Sequence, residues 1–189
     1  MAGVSGQLER FFTLDAYLRT GCSVVVTTDA SPWGLGAVLE FNGKIAAFFS
    51  SPISPVDRSI LSLDAEPSSS DQQVLEALAR EWASEWTNRR VQLSVRSDNV
   101  AALTLICKMQ PHSDRMGIIA RELALDIASS SLAPDEAVHI PRLANTAADV
   151  LSRLHQPDKA PAIPAYLSAD LRWECMPRPR HWWRSVPTG

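Results

Sequence analysis

Between Cys22 and Ser50 the chain writes three short strands in succession, and no other feature limits its possible folds so tightly. Cys22 to Asp29, C-S-V-V-V-T-T-D, is dense in β-branched residues, which suit a pleated, buried surface. Ser31-Pro32 interrupts it, and Gly34 to Phe41 then reads as a second strand. Lys44 to Ser50 reads as a third, separated from the second by Asn42-Gly43 alone. A two-residue Asn-Gly link favours the turn whose twist matches two antiparallel strands. The chain therefore opens on a three-strand antiparallel meander.

Beyond the meander, helices and strands alternate. Pro52 to Ser70 reads as a polar loop with three prolines, and Asp71 to Thr87 as a helix with Val74, Leu75, Leu78, Trp82 and Trp86 at helical spacing. Val91 to Arg96 is the next strand, and a helix begins at Asp98 and runs to Cys107. Arg115 to Ala128 is a further helix, Ala137 to Ile140 a short strand, and Asn145 to Leu154 a last helix with Asn145 as a candidate cap. The order β-β-β-α-β-α-α-β-α predicts an α/β fold. Its mixed five-stranded sheet, the meander plus two parallel strands, is flanked by helices. Residues 1–20 read as a lead-in segment, 21–155 as the domain, and 156–189, which hold six of the 13 prolines, as a Pro-rich tail or linker.

A chain of 189 residues with 46% apolar residues can bury a core without covalent staples. Its three cysteines, Cys22, Cys107 and Cys175, are odd in number and far apart, which argues against a disulfide framework or a zinc knuckle. No leader and no run of about 20 apolar residues is read, so no membrane contact and an intracellular setting are expected. The net charge of −3 splits into −5 over residues 1–155 and +2 over 156–189. That balance disfavours a strong free-standing nucleic-acid binder, and acid excess in the domain suits carboxylates gathered around cations.

Four carboxylates stand out by position: Asp29 at the end of the first strand, Glu76 early in the first long helix, Asp98 just past the fourth strand, and Asp149 near the start of the last helix. Strand ends and helix starts are where ligands gather in open α/β sheets. Each has a plainer reading: Asp98 as a helix cap, Asp149 as a complement to the helix dipole. Glu81 and Glu85 share the helix with Glu76, so helical phase does not single it out.

The segments around them carry a resemblance. T-D-A-S-x-x-G-x-G-A (Thr28 to Ala37), E-A-L-A-x-x-W-A (Glu76 to Ala83), S-D-N (Ser97 to Asn99) and H-I-P-x-x-x-N-x-x-A-D-x-L-S-R (His139 to Arg153) occur in that order. Over residues 22–155 the chain resembles the ribonuclease H domain of retroelement reverse transcriptases of the LTR or DIRS-like kind. The resemblance implies an endonuclease that hydrolyses the RNA strand of an RNA–DNA hybrid by a two-metal-ion mechanism. Asp29, Glu76, Asp98 and Asp149 would be the ligands of two Mg²⁺ ions, with Mn²⁺ able to substitute. Magnesium prefers oxygen donors, and two ions about 4 Å apart need several negative charges around them. The implied partners are the hybrid and a reverse transcriptase polymerase domain in cis or in trans. The setting would be cytoplasm or nucleus, wherever reverse transcription takes place.

The resemblance also makes Ser31, Gln73, Asn99 and Asn145 candidate substrate contacts, Gln73 at the hybrid's minor groove. Asn145 could instead cap or orient the last helix. The loop Pro141 to Ala144 lacks the histidine that many members carry there, whereas His139 falls within a strand and reads as structural. A catalytically inactive tether or binding domain is the alternative, and retention of all four carboxylates counts against it. No G-x-x-x-x-G-K-[ST] loop, integrase-type His/Cys set or Y-x-D-D motif is found. Trp182 and Trp183, in R-H-W-W-R, are a candidate docking element.

Overall fold

A computed structural model describes residues 23–63, 92–130, 136–158, 161–173 and 178–186. The meander forms as expected: β1 (Ser23–Ala30), β2 (Gly34–Phe41) and β3 (Lys44–Pro52). Asn42 and Gly43 both take positive φ, 50° and 75°, the requirement of the hairpin turn read from their identities. β4 (Gln92–Ser97) and β5 (Glu136–His139) complete a five-stranded sheet of order β3-β2-β1-β4-β5. β1 pairs antiparallel with β2 and parallel with β4, and β4 pairs parallel with β5. The sheet is mixed in the way the sequence predicts.

One helix was not expected. Within the stretch read as a polar loop, α1 (Pro55–Leu61) begins on a capping box: Ser54 Oγ accepts from the Asp57 backbone N–H, and the Asp57 carboxylate accepts from the Ser54 N–H. Pro55 fills the first helical position, where its missing N–H costs nothing. The signal S-P-x-D was legible; the prolines and serines around it masked it. The helix expected at Asp71 to Thr87, with Gln73 and Glu76, lies outside the described residues.

α2 (Val100–Lys108) and α3 (Asp114–Ser130) cover one face of the sheet. Val24, Val26, Leu93 and Val95 meet Leu103, Ile106, Met116, Ile119 and Leu123 in the main core. α4 (Thr146–Ser152) packs on the other face, where Val38 and Phe48 meet Leu151 and Leu167.

The residues after 156 are not loosely attached where they are described. Leu167 and Trp183 are buried, and Trp173 donates its backbone N–H to Phe48 O along the outer strand. Arg178 is fully buried against α1: Nε donates to Asp57 Oδ1 at 3.0 Å and Nη2 to Oδ2 at 2.6 Å. Nη1 donates to Ser51 Oγ and Nη2 also to Pro52 O. The R-H-W-W-R segment docks within its own chain. Trp183 enters the main core, and Glu122 of α3 accepts from the backbone N–H groups of Arg184 and Ser185. Low periodicity hid this, because irregular chain can bury isolated anchors without repeating them.

Candidate active site

The strand ends deliver the acidic residues. β1 carries Asp29 as its penultimate residue, 5% exposed. Asp98 follows β4, the parallel neighbour of β1, and so emerges at the same end of the sheet. Asp149 comes from α4, which crosses β1 and β2. With Ala30, Asn99, Arg142 and Arg153 these three carboxylates line one open groove.

What lets α4 lie so close is the glycine pair of the first motif. A Cβ on Gly36 would stand 2.4 Å from Ala148 O and 2.5 Å from Ser152 N. On Gly34 it would stand 2.9 Å from the Ser51 and Ser152 carbonyls. Hydroxyls then fasten the helix. Ser31 Oγ donates to Ser152 O at 2.7 Å, and Ser50 Oγ donates to Leu151 O at 2.7 Å. Ser152 Oγ donates to Asp29 Oδ2 at 2.8 Å. T-D-A-S-x-x-G-x-G-A and A-D-x-L-S-R are thus two halves of one contact.

Asn145, immediately before α4, is the second tie. It makes no side-chain cap. Its buried Nδ2 lies 3.1 Å from Thr28 O, 3.3 Å from Asp29 Oδ1 and 3.5 Å from Asp98 Oδ1. Its two N–H groups serve these three acceptors and hold two carboxylates from neighbouring strands together.

The other expected residues divide. Ser31, read as a substrate contact, is buried with its hydroxyl engaged by Ser152; it holds the fold here. The cap of α2 is Asn99, which accepts from Ala102 N–H at 3.0 Å, and not Asp98. Asn99 nonetheless lines the groove. His139 lies in β5 with Nε2 3.2 Å from Asp98 O. Gln73 and Glu76 lie outside the described residues. Sequence reasoning missed Ser50 and Ser152 as fasteners of the site, although the S-R of the last motif pointed at Ser152. Arg142 and Arg153 belong to a scattered set of possible phosphate contacts in the sequence, Arg153 closing the last motif, and only the structure places these two at the groove.

The electrostatics of the groove are set first by burial and then by its three carboxylates and two guanidiniums. Burial raises the Asp29 carboxyl to about 7; the Ser152 hydrogen bond works against this, the charges of Asp149 and Asp98 add to it, and Arg153 offsets part of it. Arg153 donates Nε and Nη2 to Asp149 Oδ1 at 3.0 and 2.9 Å. Among the described residues no three of His, Cys, Asp and Glu are gathered closely enough to bind a metal unaided. The donor chemistry fits a hard divalent cation all the same: all three groups are carboxylates, and two of them raise the proton affinity of the third.

The metal-free protein should show a pH dependence from this group. A folded value near 7 lies above the ordinary value of 3.8, so this contribution to stability is fully present below about pH 4 and is lost as pH rises through 7. Asp29→Asn removes the ionisation, and the Ser152 hydroxyl can turn to accept from the new amide while donating to Asp149 O. The variant should match the parent near pH 4 and exceed it by up to about 4 kcal/mol above pH 7. Chemical denaturation in chelator at several pH values reads this directly. A difference that does not grow with pH would contradict it.

Comparison with solved structures settles the architecture. LC11-RNase H1 in complex with an RNA/DNA hybrid superposes with a TM-score of 0.51, at 17% identity, over 68% of this chain and 92% of that one. The fold is that of ribonuclease H. Ribonuclease H1 from the halophilic archaeon Halobacterium salinarum NRC-1 is also similar, with a TM-score of 0.48 and 19% identity over 72% of this chain and 99% of that one. No family model and no curated relative matches the sequence. In this ribonuclease H-like fold the groove lies at the carboxyl ends of β1 and β4.

Proposed function

We propose that the chain is a ribonuclease H that hydrolyses the RNA strand of an RNA–DNA hybrid, acting in retroelement reverse transcription beside a polymerase domain in cis or in trans. The convergence of Asp29, Asp98 and Asp149 on one groove of this fold carries the reading. Glu76 is the expected fourth carboxylate. The retroelement setting, in cytoplasm or nucleus, rests on the four motifs.

Asp29, Asp98, Asp149 and Glu76 would hold two Mg²⁺ ions, which supply an activated water and stabilise the leaving 3′ oxygen. The chain's own residues do the placing. Asn145 fixes Asp29 and Asp98 relative to each other, and Ser152 fixes the second oxygen of Asp29. Arg142, with 74% of its side chain exposed, stands at the groove where a phosphate backbone would run. The groove is open, and selectivity would rest on the RNA strand's 2′-hydroxyls and on the shape of the hybrid. Net charge of −3 implies weak binding alone, and a tethered polymerase would raise the effective concentration.

Purified protein with labelled hybrid, double-stranded RNA and double-stranded DNA in Mg²⁺ tests the reading. Only the hybrid's RNA strand should be cut, leaving 3′-hydroxyl and 5′-phosphate ends. Asp29→Asn should lose more than the roughly 100-fold that loss of an outer partner costs a metal site. Folded protein that cuts nothing in Mg²⁺ or Mn²⁺, even when joined to a polymerase domain, would favour the inactive tether domain instead.

A further inference from the structure

Asp149 already has a cation. Arg153 lies one helical turn beyond it, and both its Nε and its Nη2 fall on the same carboxylate oxygen, Oδ1, at 3.0 and 2.9 Å. Arg142 Nη2 approaches that oxygen too, at 3.9 Å. The Asp149 and Arg153 side chains are less than one-third exposed, at 29% and 31%, whereas Arg142 is largely in solvent. The Arg153 contact is therefore the less screened of the two. A guanidinium directed at a carboxylate in a groove shared with two further carboxylates lowers the negative charge available there. It also repels any divalent ion brought to the same oxygen.

We propose that Arg153 is an internal counter-ion that holds Asp149 in the metal-free protein and competes with a divalent cation for it. This rests on the reading of Asp149 as a cation ligand. Loading of the groove is then a displacement: the cation takes Asp149 as Arg153 leaves Oδ1, and the freed guanidinium faces the groove with Arg142, where a phosphate is its natural new partner. Arg153 acts through Asp149 and is a positioning residue. The free protein would bind cations weakly, and an anionic backbone entering the groove would favour loading by giving the guanidinium somewhere to go.

Calorimetric titration of Mn²⁺ and of Mg²⁺ into the full chain, without nucleic acid, separates this from a structural role. Arg153→Gln should bind the cation about tenfold more tightly than the parent, and Arg153→Lys, which keeps the charge, should stay within about threefold of it. On an Asp149→Asn background the gain from Arg153→Gln should shrink to about twofold or less. Unchanged or weaker binding by folded Arg153→Gln overturns the proposal, as does a gain undiminished without Asp149. Far-ultraviolet circular dichroism establishes folding, and Arg153→Met repeats the test should the glutamine variant misfold. Cation binding that Asp29→Asn abolishes but Arg153→Gln leaves alone would sink the counter-ion and spare the nuclease. No cation binding by any form would sink both.

Discussion

Arg178→Ala should lower folding stability by about 4 kcal/mol, near 10 °C in melting temperature for a chain of this size. The guanidinium is fully buried and paired with an equally buried Asp57 through two hydrogen bonds, and it also donates to Ser51 and Pro52. Truncating the arginine leaves a buried carboxylate without its cation, which costs far more than the pair contributes when intact. Asp57→Ala should cost at least as much, because Asp57 also accepts from the Ser54 N–H at the start of α1. The double variant Asp57→Leu/Arg178→Met removes both charges and fills the space, and should recover about half the loss. Urea melts of the four proteins decide the matter. A loss under about 1 kcal/mol for Arg178→Ala would mean that the segment around it separates from the domain freely.

Among the described glycines, Gly36→Ala is expected to be the most damaging added methyl. Its Cβ would meet the Ala148 carbonyl at 2.4 Å and the Ser152 nitrogen at 2.5 Å, both backbone atoms of α4 that cannot turn aside. The helix must lift away from β2, at about 3 kcal/mol. That displacement would carry Asp149 with it and loosen the Ser152 contact to Asp29. Stability and cation affinity should therefore fall together in Gly36→Ala, whereas Arg178→Ala should leave cation affinity of the folded protein unchanged. Gly43→Ala is a useful contrast. Nothing lies within 4 Å of its Cβ, so its cost is only that of a positive φ on alanine. Thermal melts beside calorimetric cation titration read both quantities, and a Gly36→Ala protein with parental values in each would show that α4 packs differently.

The meander was legible because its causes are local. The β-branched run of β1 and the Asn42-Gly43 turn act between neighbours in sequence, and each forms where its residues require. Beyond it the described strands β4 and β5 and helices α2 to α4 also follow in the expected order and complete a mixed sheet, although α1 was not read and the helix expected at Asp71 to Thr87 lies outside the described residues. Boundaries slipped by a residue or two where two candidates compete for one role, as at Asp98 and Asn99, where the amide caps the helix and leaves the carboxylate free to face the groove.

Place along the chain marked which carboxylates to watch at strand ends and helix starts, and the resemblance of the four motifs joined them into one set. Only the tertiary structure decided what surrounds them. Asn145 holds the cap position of α4 as read, but its side chain, rather than capping, is a buried donor to two aspartates; Ser31 looked like a substrate contact and is a fastener for α4. Residues 156–189 looked like a tail, yet Arg178 and Trp183 enter the interior. These roles depend on partners more than 50 residues away, Asp57 for Arg178, Thr28 for Asn145 and Glu122 for the turn after Trp183. A sequence records the donors and acceptors a residue offers, but which acceptor a buried donor meets is set by the packing of whole elements. Packing is a property of the closed fold that no local pattern carries.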